Sequence, residues 1–264
     1  MAKTSPRRSV FLPGTALLAA ATIFLSIGWA TAAAPPINKR AGELMERARP
    51  RLVDELERKG MHLGRPIFIR IFKIPGTLEV WLQQEKSFRL FKTYPICSYS
   101  GFPGPKLHEG DWQSPEGFYS VTAAQMNPNS QYHLSFNIGY PNGYDSSLDR
   151  TGSNIMVHGG CSSRGCFAMT NYWMEEIYLL AHAALSGGQE SFSVHVFPFV
   201  MTARNMFKFR SSPWIDFWNN LKEGYDAFEQ TRQVPVITVA EGRYQILPDM
   251  RLALGGSKKD REPL

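Results

Sequence analysis

Between Pro66 and Ile96 the chain runs through three short stretches of aromatic and β-branched residues, "IFIRIFK" (67–73), "TLEVWLQ" (77–83) and "FRLFKTYPI" (88–96), separated only by "IPG" and "QEKS". Such side chains suit the crowded, pleated surface of a strand, and interruptions this brief leave room for tight turns and little else. The stretch therefore predicts a β-meander, and the remaining segments are best read as what packs on a sheet.

More strand signals follow. Residues 97–122, "CSYSGFPGPKLHEGDWQSPEGFYSVT", form a loop dense in Gly, Pro and Ser that ends in a strand over 117–122. Long loops of this kind on a β scaffold often carry function. "YHLSFNIGYPNGYD" (132–145) predicts a strand carrying Tyr132 and His133, then a turn-rich loop. "SNIMVHG" predicts a buried strand ending at His158, and "SFSVHVFPF" (191–199) alternates as a closing strand.

Helical periodicity appears on either side. Leu44, Ala48, Leu52 and Leu56 mark an amphipathic helix within 38–60, with Pro50 leaving open one helix or two short ones. Met174, Ile177, Tyr178, Ala181 and Leu185 share a face within 171–188, where Gly187 and Gly188 are a stop. Ser211 and Ser212 as caps, Pro213 in the first turn and the stripe Trp214, Phe217, Trp218, Leu221, Tyr225 and Phe228 predict a helix whose aromatic face packs on its own core. Residues 234–247 predict a final hairpin, and "GGSKKDREPL" a frayed tail.

The first residues stand apart. Lys3, Arg7 and Arg8 precede an apolar run from Val10 to Ala30, and "ATAAA" supplies the small residues of a cleavage site. Export with cleavage after Ala32 is the expectation, with an uncleaved membrane anchor the alternative for a run this long. Loss of those three cations takes the formal net charge from +6 to +3, too weak a balance to suggest nucleic acid. It is compatible with an anionic cell-envelope polymer.

All three cysteines, Cys97, Cys161 and Cys166, lie beyond that segment, so a monomer keeps at least one thiol unpaired. Two of them fall in "HGGCSSRGC", with His158 eight residues before Cys166. As a metal site the cluster lacks the paired knuckles and fourth ligand that zinc usually takes, and no metal is expected. A Cys161–Cys166 disulfide would close a very short loop and gain little from it. As a nucleophile, Cys166 would need a base, a sharp turn exposing its sulfur and backbone N–H groups for an oxyanion. His158, Gly165 and the amides around Cys166 could supply them, with an imidazolium partner lowering the thiol pKa. On these residues alone, a buried strand-end histidine beside a structural cysteine explains the motif equally well.

The motif resembles the active-site signature of the L,D-transpeptidase catalytic domain family, the YkuD type, at His158, Gly159, Ser163, Arg164, Gly165 and Cys166. "IRIFK", "LFKTYPIC", "GPKLHEGD", "SPEGFYSVT", "YHLSFNIGYPN" and "VHVFPFVMT", in that order across roughly residues 66–232, are similar to its YafK-like branch. The resemblance implies a mainly β fold with peripheral helices (α+β), a sandwich or half-open barrel with an N-terminal helix and a C-terminal helix plus hairpin. The expected layout is a signal peptide at 1–32, a helical segment at 33–65, a catalytic domain at 66–200 and an extension at 201–264.

It also implies a cofactor-free enzyme of peptidoglycan. Cys166 would attack the carbonyl at the L-centre of a diaminopimelate residue in a stem peptide, with His158 as base and Gly165, Ser163 and Arg164 supporting the site. Tyr132 and His133 would flank the substrate, His133 contacting it or holding the loop, and Trp112 is a weaker candidate. Transfer to an amine is the leading expectation. The alternative is an L,D-acting peptidase or amidase that trims stems or releases an envelope lipoprotein linked to diaminopimelate.

Overall fold

The computed structural model describes residues 1–2 and 34–247; residues 3–33, which carry nearly all of the expected export segment, and the tail beyond Leu247 lie outside the described residues. The meander forms as β1 (Ile67–Ile74), β2 (Thr77–Gln84) and β3 (Ser87–Pro95). After β4 (Ser98–Tyr99) come β5 (Gly117–Thr122), β6 (Met126–Asn127), β7 (Ser135–Asn137), β8 (Met156–His158), β9 (Phe167–Ala168) and β10 (Ser191–Phe199). They make two five-stranded sheets, ordered β3-β2-β1-β10-β5 and β4-β9-β8-β7-β6.

The last strand of the first sheet in sequence is not at its edge. β10 lies parallel to β1, with Ile69 opposite Val194 and Ile71 opposite Val196, and antiparallel to β5 on its other side. Its alternation fades because both faces are covered: from Val194 to Phe199 every side chain is buried. Val194 and Val196 join the core shared with Val157 and Phe167 of the second sheet, while Phe197 and Phe199 face a second, aromatic core.

Helix α1 (Lys39–Arg58) is one unbroken helix despite Pro50. Asn38 caps it, accepting from the Ala41 N–H at 2.7 Å, and Ala41, Met45, Ala48, Leu52 and Leu56 bury one stripe. Tertiary burial of a whole helical face outweighs the ~3 kcal/mol of an interior proline. The region read as a turn-rich loop contains a short helix, α2 (Gly143–Ser147), closed by reciprocal bonds between Asn142 and Asp145. Helix α3 (Thr170–Ser186) is buried over most of its surface, packed on α1 and on strands of both sheets.

Past α4 (Ala203–Lys208), the aromatic helix α5 (Ile215–Thr231) starts later than the sequence predicts. Trp214 is its N-cap without a side-chain cap bond, Ser211, Ser212 and Pro213 lie in the turn before it, and Ser212 Oγ accepts from the Trp214 N–H at 3.2 Å. Its stripe packs on its own core, Phe217, Trp218 and Leu221 against Phe72, Phe118, Phe197 and Phe199. The hairpin of β11 (Val236–Ala240) and β12 (Arg243–Leu247) adds Tyr244 to that cluster.

One ion pair ties the long loop to this scaffold. Lys73 on β1 and Glu116, both fully buried, meet at 3.0 Å. Lys73 Nζ also donates to the carbonyls of Gly104 (2.6 Å) and Phe102 (3.2 Å), and Glu116 accepts from the Gly104 N–H (2.6 Å) and Trp218 Nε1 (2.8 Å). Burial pushes the Lys73 ammonium below its usual range, with Glu116 opposing. Removing one partner of such a pair strands the other charge in the interior. Glu116→Ala should therefore cost about 3–5 kcal/mol in urea unfolding; a loss under about 1 kcal/mol would show that the pair does not hold the loop.

Candidate active site

The site is set by a strand register. β8 and β9 pair in parallel, with Val157 opposite Phe167 and His158 opposite Ala168. Val157 and Phe167 are fully buried in the shared core. A period of two then turns His158 and Cys166 to the other face. One place before β9, Cys166 lies beside Met156, whose N–H points at Sγ at 3.4 Å, and the thiol approaches the Asn154 carbonyl at 3.6 Å. His158 is two residues further along its strand. Strands about 4.8 Å apart with a rise of about 3.3 Å per residue put the two Cβ atoms on a diagonal of about 8 Å, which an imidazole and a thiol can span.

His158 is 3% exposed. Its Nδ1 lies 2.5 Å from the Gly159 carbonyl, which can only accept, so Nδ1 carries the proton and Nε2 is left bare. The Tyr132 ring covers the imidazole at 4.8 Å. This cover depends on Gly159: a Cβ there would lie 2.8 Å from both the Tyr132 carbonyl and His133 Cβ.

The electrostatics differ from the sequence expectation. Burial pushes the His158 imidazole down, with the Gly159 bond acting in the opposite sense. Burial likewise pushes the Cys166 thiol up, against weaker pulls from the Met156 N–H and the Lys106 ammonium. Desolvation dominates at both groups, so the resting pair is a neutral thiol beside a neutral imidazole rather than a thiolate–imidazolium pair.

The turn before Cys166 is locked from two sides. Cys97 and Cys161 form a disulfide, leaving Cys166 as the free thiol. That bond also consumes a sulfur the metal reading required, and among the described residues no cluster of three or more His, Cys, Asp or Glu could hold a metal ion. On the other side a hydroxyl relay runs through the turn. The Gly165 N–H donates to Ser100 Oγ (3.0 Å) and approaches Ser163 Oγ (3.2 Å). Ser100 and Ser163 bond at 2.8 Å, and Ser163 donates to the Cys166 carbonyl at 2.8 Å, which Ser114 also approaches at 3.3 Å. Gly165, at φ +124°, holds a conformation that side chains avoid. Its amide is engaged by these hydroxyls, which leaves the Cys166 N–H as the amide beside the sulfur.

The other sequence candidates spread out. Tyr132 and His133 lie in a turn preceding β7, not on a strand, because His133 sits at φ +75°, outside the range of a paired strand. His133 holds the loop instead of presenting a free nitrogen to substrate: Nε2 is 2.8 Å from Glu175 Oε1 on α3, Nδ1 is 3.4 Å from the Arg40 guanidinium, and Arg40 donates to its carbonyl at 2.9 Å. Glu175 is further bound by Arg47 of α1. Arg164 lies over the exposed Trp112 ring at 5.2 Å, forming a cationic and aromatic rim. Sequence reasoning missed Ser100, Ser114 and Lys106; serines and a lysine in a Gly- and Pro-rich loop carry no spacing signal.

A family model for the L,D-transpeptidase catalytic domain, YkuD, matches residues 76–185. Over 190 residues the chain is 45% identical to "Putative L,D-transpeptidase YafK" of Escherichia coli K12, spanning 72% of this chain and 77% of that protein, and equally to its counterpart in strain O157:H7. Among solved structures, the helical cell shape determining protein Pgp2 of Campylobacter jejuni aligns with a TM-score of 0.42 and 17% identity, over 76% of this chain and 80% of that one.

Two measurements check the site. In the oxidised, unfolded protein one thiol, on Cys166, should react with a thiol reagent. In the native protein its alkylation should rise with pH and reach half its maximum above the ordinary thiol value of about 8.5. A plateau already reached at pH 7 would mean a preformed thiolate–imidazolium pair.

Proposed function

The chain belongs to the L,D-transpeptidase family, enzymes of peptidoglycan, and we propose that Cys166 is its nucleophile and His158 its general base. The observation that carries this is the free thiol on the same face of paired strands as a buried imidazole whose Nδ1 is tied to the Gly159 carbonyl. Tying down Nδ1 fixes the tautomer, so the nitrogen left to take a proton is Nε2.

The reaction follows from neutral partners. Sγ forms a bond to the carbonyl carbon at the L-centre of diaminopimelate while the thiol proton passes to His158 Nε2. The carbonyl oxygen takes the negative charge and accepts from the Cys166 N–H, the amide that the serine relay leaves free. Collapse breaks the C–N bond to the adjoining D-residue, and the imidazolium returns its proton to the leaving amine. A thioester remains on Cys166. An amine acceptor then regenerates the thiol and makes a cross-link, whereas water regenerates it and leaves a shortened stem. Where the leaving amine belongs to a linked lipoprotein instead of a D-residue, thioester formation itself frees that protein and water completes the hydrolysis. Transfer is the favoured outcome. Arg164, over Trp112 at the rim, supplies a guanidinium for a substrate carboxylate.

Export is part of this proposal, with residues 1–32 as the signal and action in the cell envelope. The Cys97–Cys161 disulfide supports it, since such bonds persist in oxidising compartments.

The test is to incubate the protein with purified peptidoglycan and identify products by mass spectrometry. New cross-links through diaminopimelate are expected, while shortened stems or released peptides without cross-links would make the enzyme a hydrolase. Cys166→Ala should give neither, and His158→Gln should be slower by roughly 10²–10⁴-fold. Products from Cys166→Ala equal to those of the parent would overturn the assignment.

A further inference from the structure

On the face of the first sheet turned away from Cys166, a cavity of about 390 Å³ opens between β5, β10 and the C-terminal hairpin. This is within the range of small-molecule clefts, about 300–1,000 Å³. The register pairs His195 with Phe118 and Ser193 with Ser120, so the four side chains share one face, an aromatic end grading into a hydroxyl end. Ile237 and Val239 of β11 form the facing wall.

His195 is what the fold itself leaves unexplained. It is 2% exposed, flanked by Phe68 at 4.7 Å and Phe118 at 4.6 Å. Nδ1 is sealed without a hydrogen-bond partner; Nε2 also makes no protein hydrogen bond among the described residues and is the nitrogen that keeps access to the cavity. Burial, helped by Arg70 opposite it on β1, pushes the imidazole down to about 3, so the ring is neutral. A proton on the sealed Nδ1 would strand a buried N–H, the costlier kind of orphan. The proton therefore sits on Nε2, a donor aimed at open space.

The lining selects a ligand class. Among the described residues, none that lines the cavity is ionised at neutral pH, so a phosphate, carboxylate or ammonium would lose its hydration there with no countercharge from them. An uncharged ring with acceptor oxygens on its edge and C–H groups on its faces desolvates no charge there, and its oxygens can be met by the Nε2–H and the serine hydroxyls. We propose that this cavity binds an uncharged amino-sugar unit of a glycan strand. Nε2–H of His195 donates to a ligand oxygen, Ser193 and Ser120 bond neighbouring hydroxyls, and Ile237 and Val239 lie against the C–H face. That the glycan is that of peptidoglycan rests on the function proposed above; the sugar chemistry of the cavity does not. A hold on the far side of the sandwich keeps the enzyme on its polymer without occupying the Cys166 cleft.

The experiment titrates the Cys166→Ala protein with the β-1,4-linked trimer of N-acetylglucosamine and follows backbone amides by NMR. Saturable shifts in β5, β10 and β11, with none at residues 156–168, are expected. His195→Phe, which suits its phenylalanine neighbours, and Ser193→Val should each weaken binding at least tenfold with little change in melting temperature. The proposal is overturned if the trimer gives no saturable shift, if shifts centre on residues 156–168, or if both variants bind like the parent. A protein active on stem peptides that ignores the trimer refutes the sugar site alone. If the Cys166→Ala protein binds the trimer while the wild-type protein leaves peptidoglycan unchanged, the proposed enzymatic activity is refuted and the sugar site stands.

Discussion

Everything at the candidate active site depends on the parallel pairing of two very short strands, β8 and β9. Two residue pairs make it, Val157 with Phe167 and His158 with Ala168, and Val157 and Phe167 fix it by filling the shared core from opposite strands. A slip of one residue would turn those two side chains outward and drive His158 inward, so burial selects one register. Strands of two and three residues hold poorly alone. The Cys97–Cys161 disulfide and the serine relay from Gly165 to the Cys166 carbonyl hold the connecting turn from both sides.

The same burial that fixes the register sets the chemistry. Thiol and imidazole are both desolvated, so neither is charged at rest. In the proposed mechanism charge then appears only as sulfur attacks, where the imidazole takes the proton and the Cys166 amide meets the oxyanion. A resting neutral thiol is also less exposed to oxidation than a thiolate, which suits a free cysteine beside a disulfide.

Much of this was legible in the sequence because it depends on local pattern. The meander, the helix carrying Trp218 and the strand ending at His158 each follow from side-chain period and turn residues. What escaped depends on distant partners. Pro50 stays inside α1 because its stripe packs on α3, which no local signal reports. β10 is central because β1 and β5 flank it. His133 is drawn to Glu175 and Arg40 from elements far along the chain, and its positive φ removes it from β7. The Cys97–Cys161 bond bridges 64 residues, a separation no local spacing reports. The expected thiolate failed for a related reason, since spacing identifies a base and a nucleophile but not how far each is buried.

The central claim is that Cys166 carries the acyl group. The most direct measurement is acid-quenched mass spectrometry of the protein mixed with a diaminopimelate-containing tetrapeptide stem. A single acyl adduct on the peptide bearing Cys166, released by hydroxylamine as a thioester is, absent from Cys166→Ala and slower to form in His158→Gln, is the expected result. An adduct on any other residue, or turnover of the stem by Cys166→Ala, would contradict it.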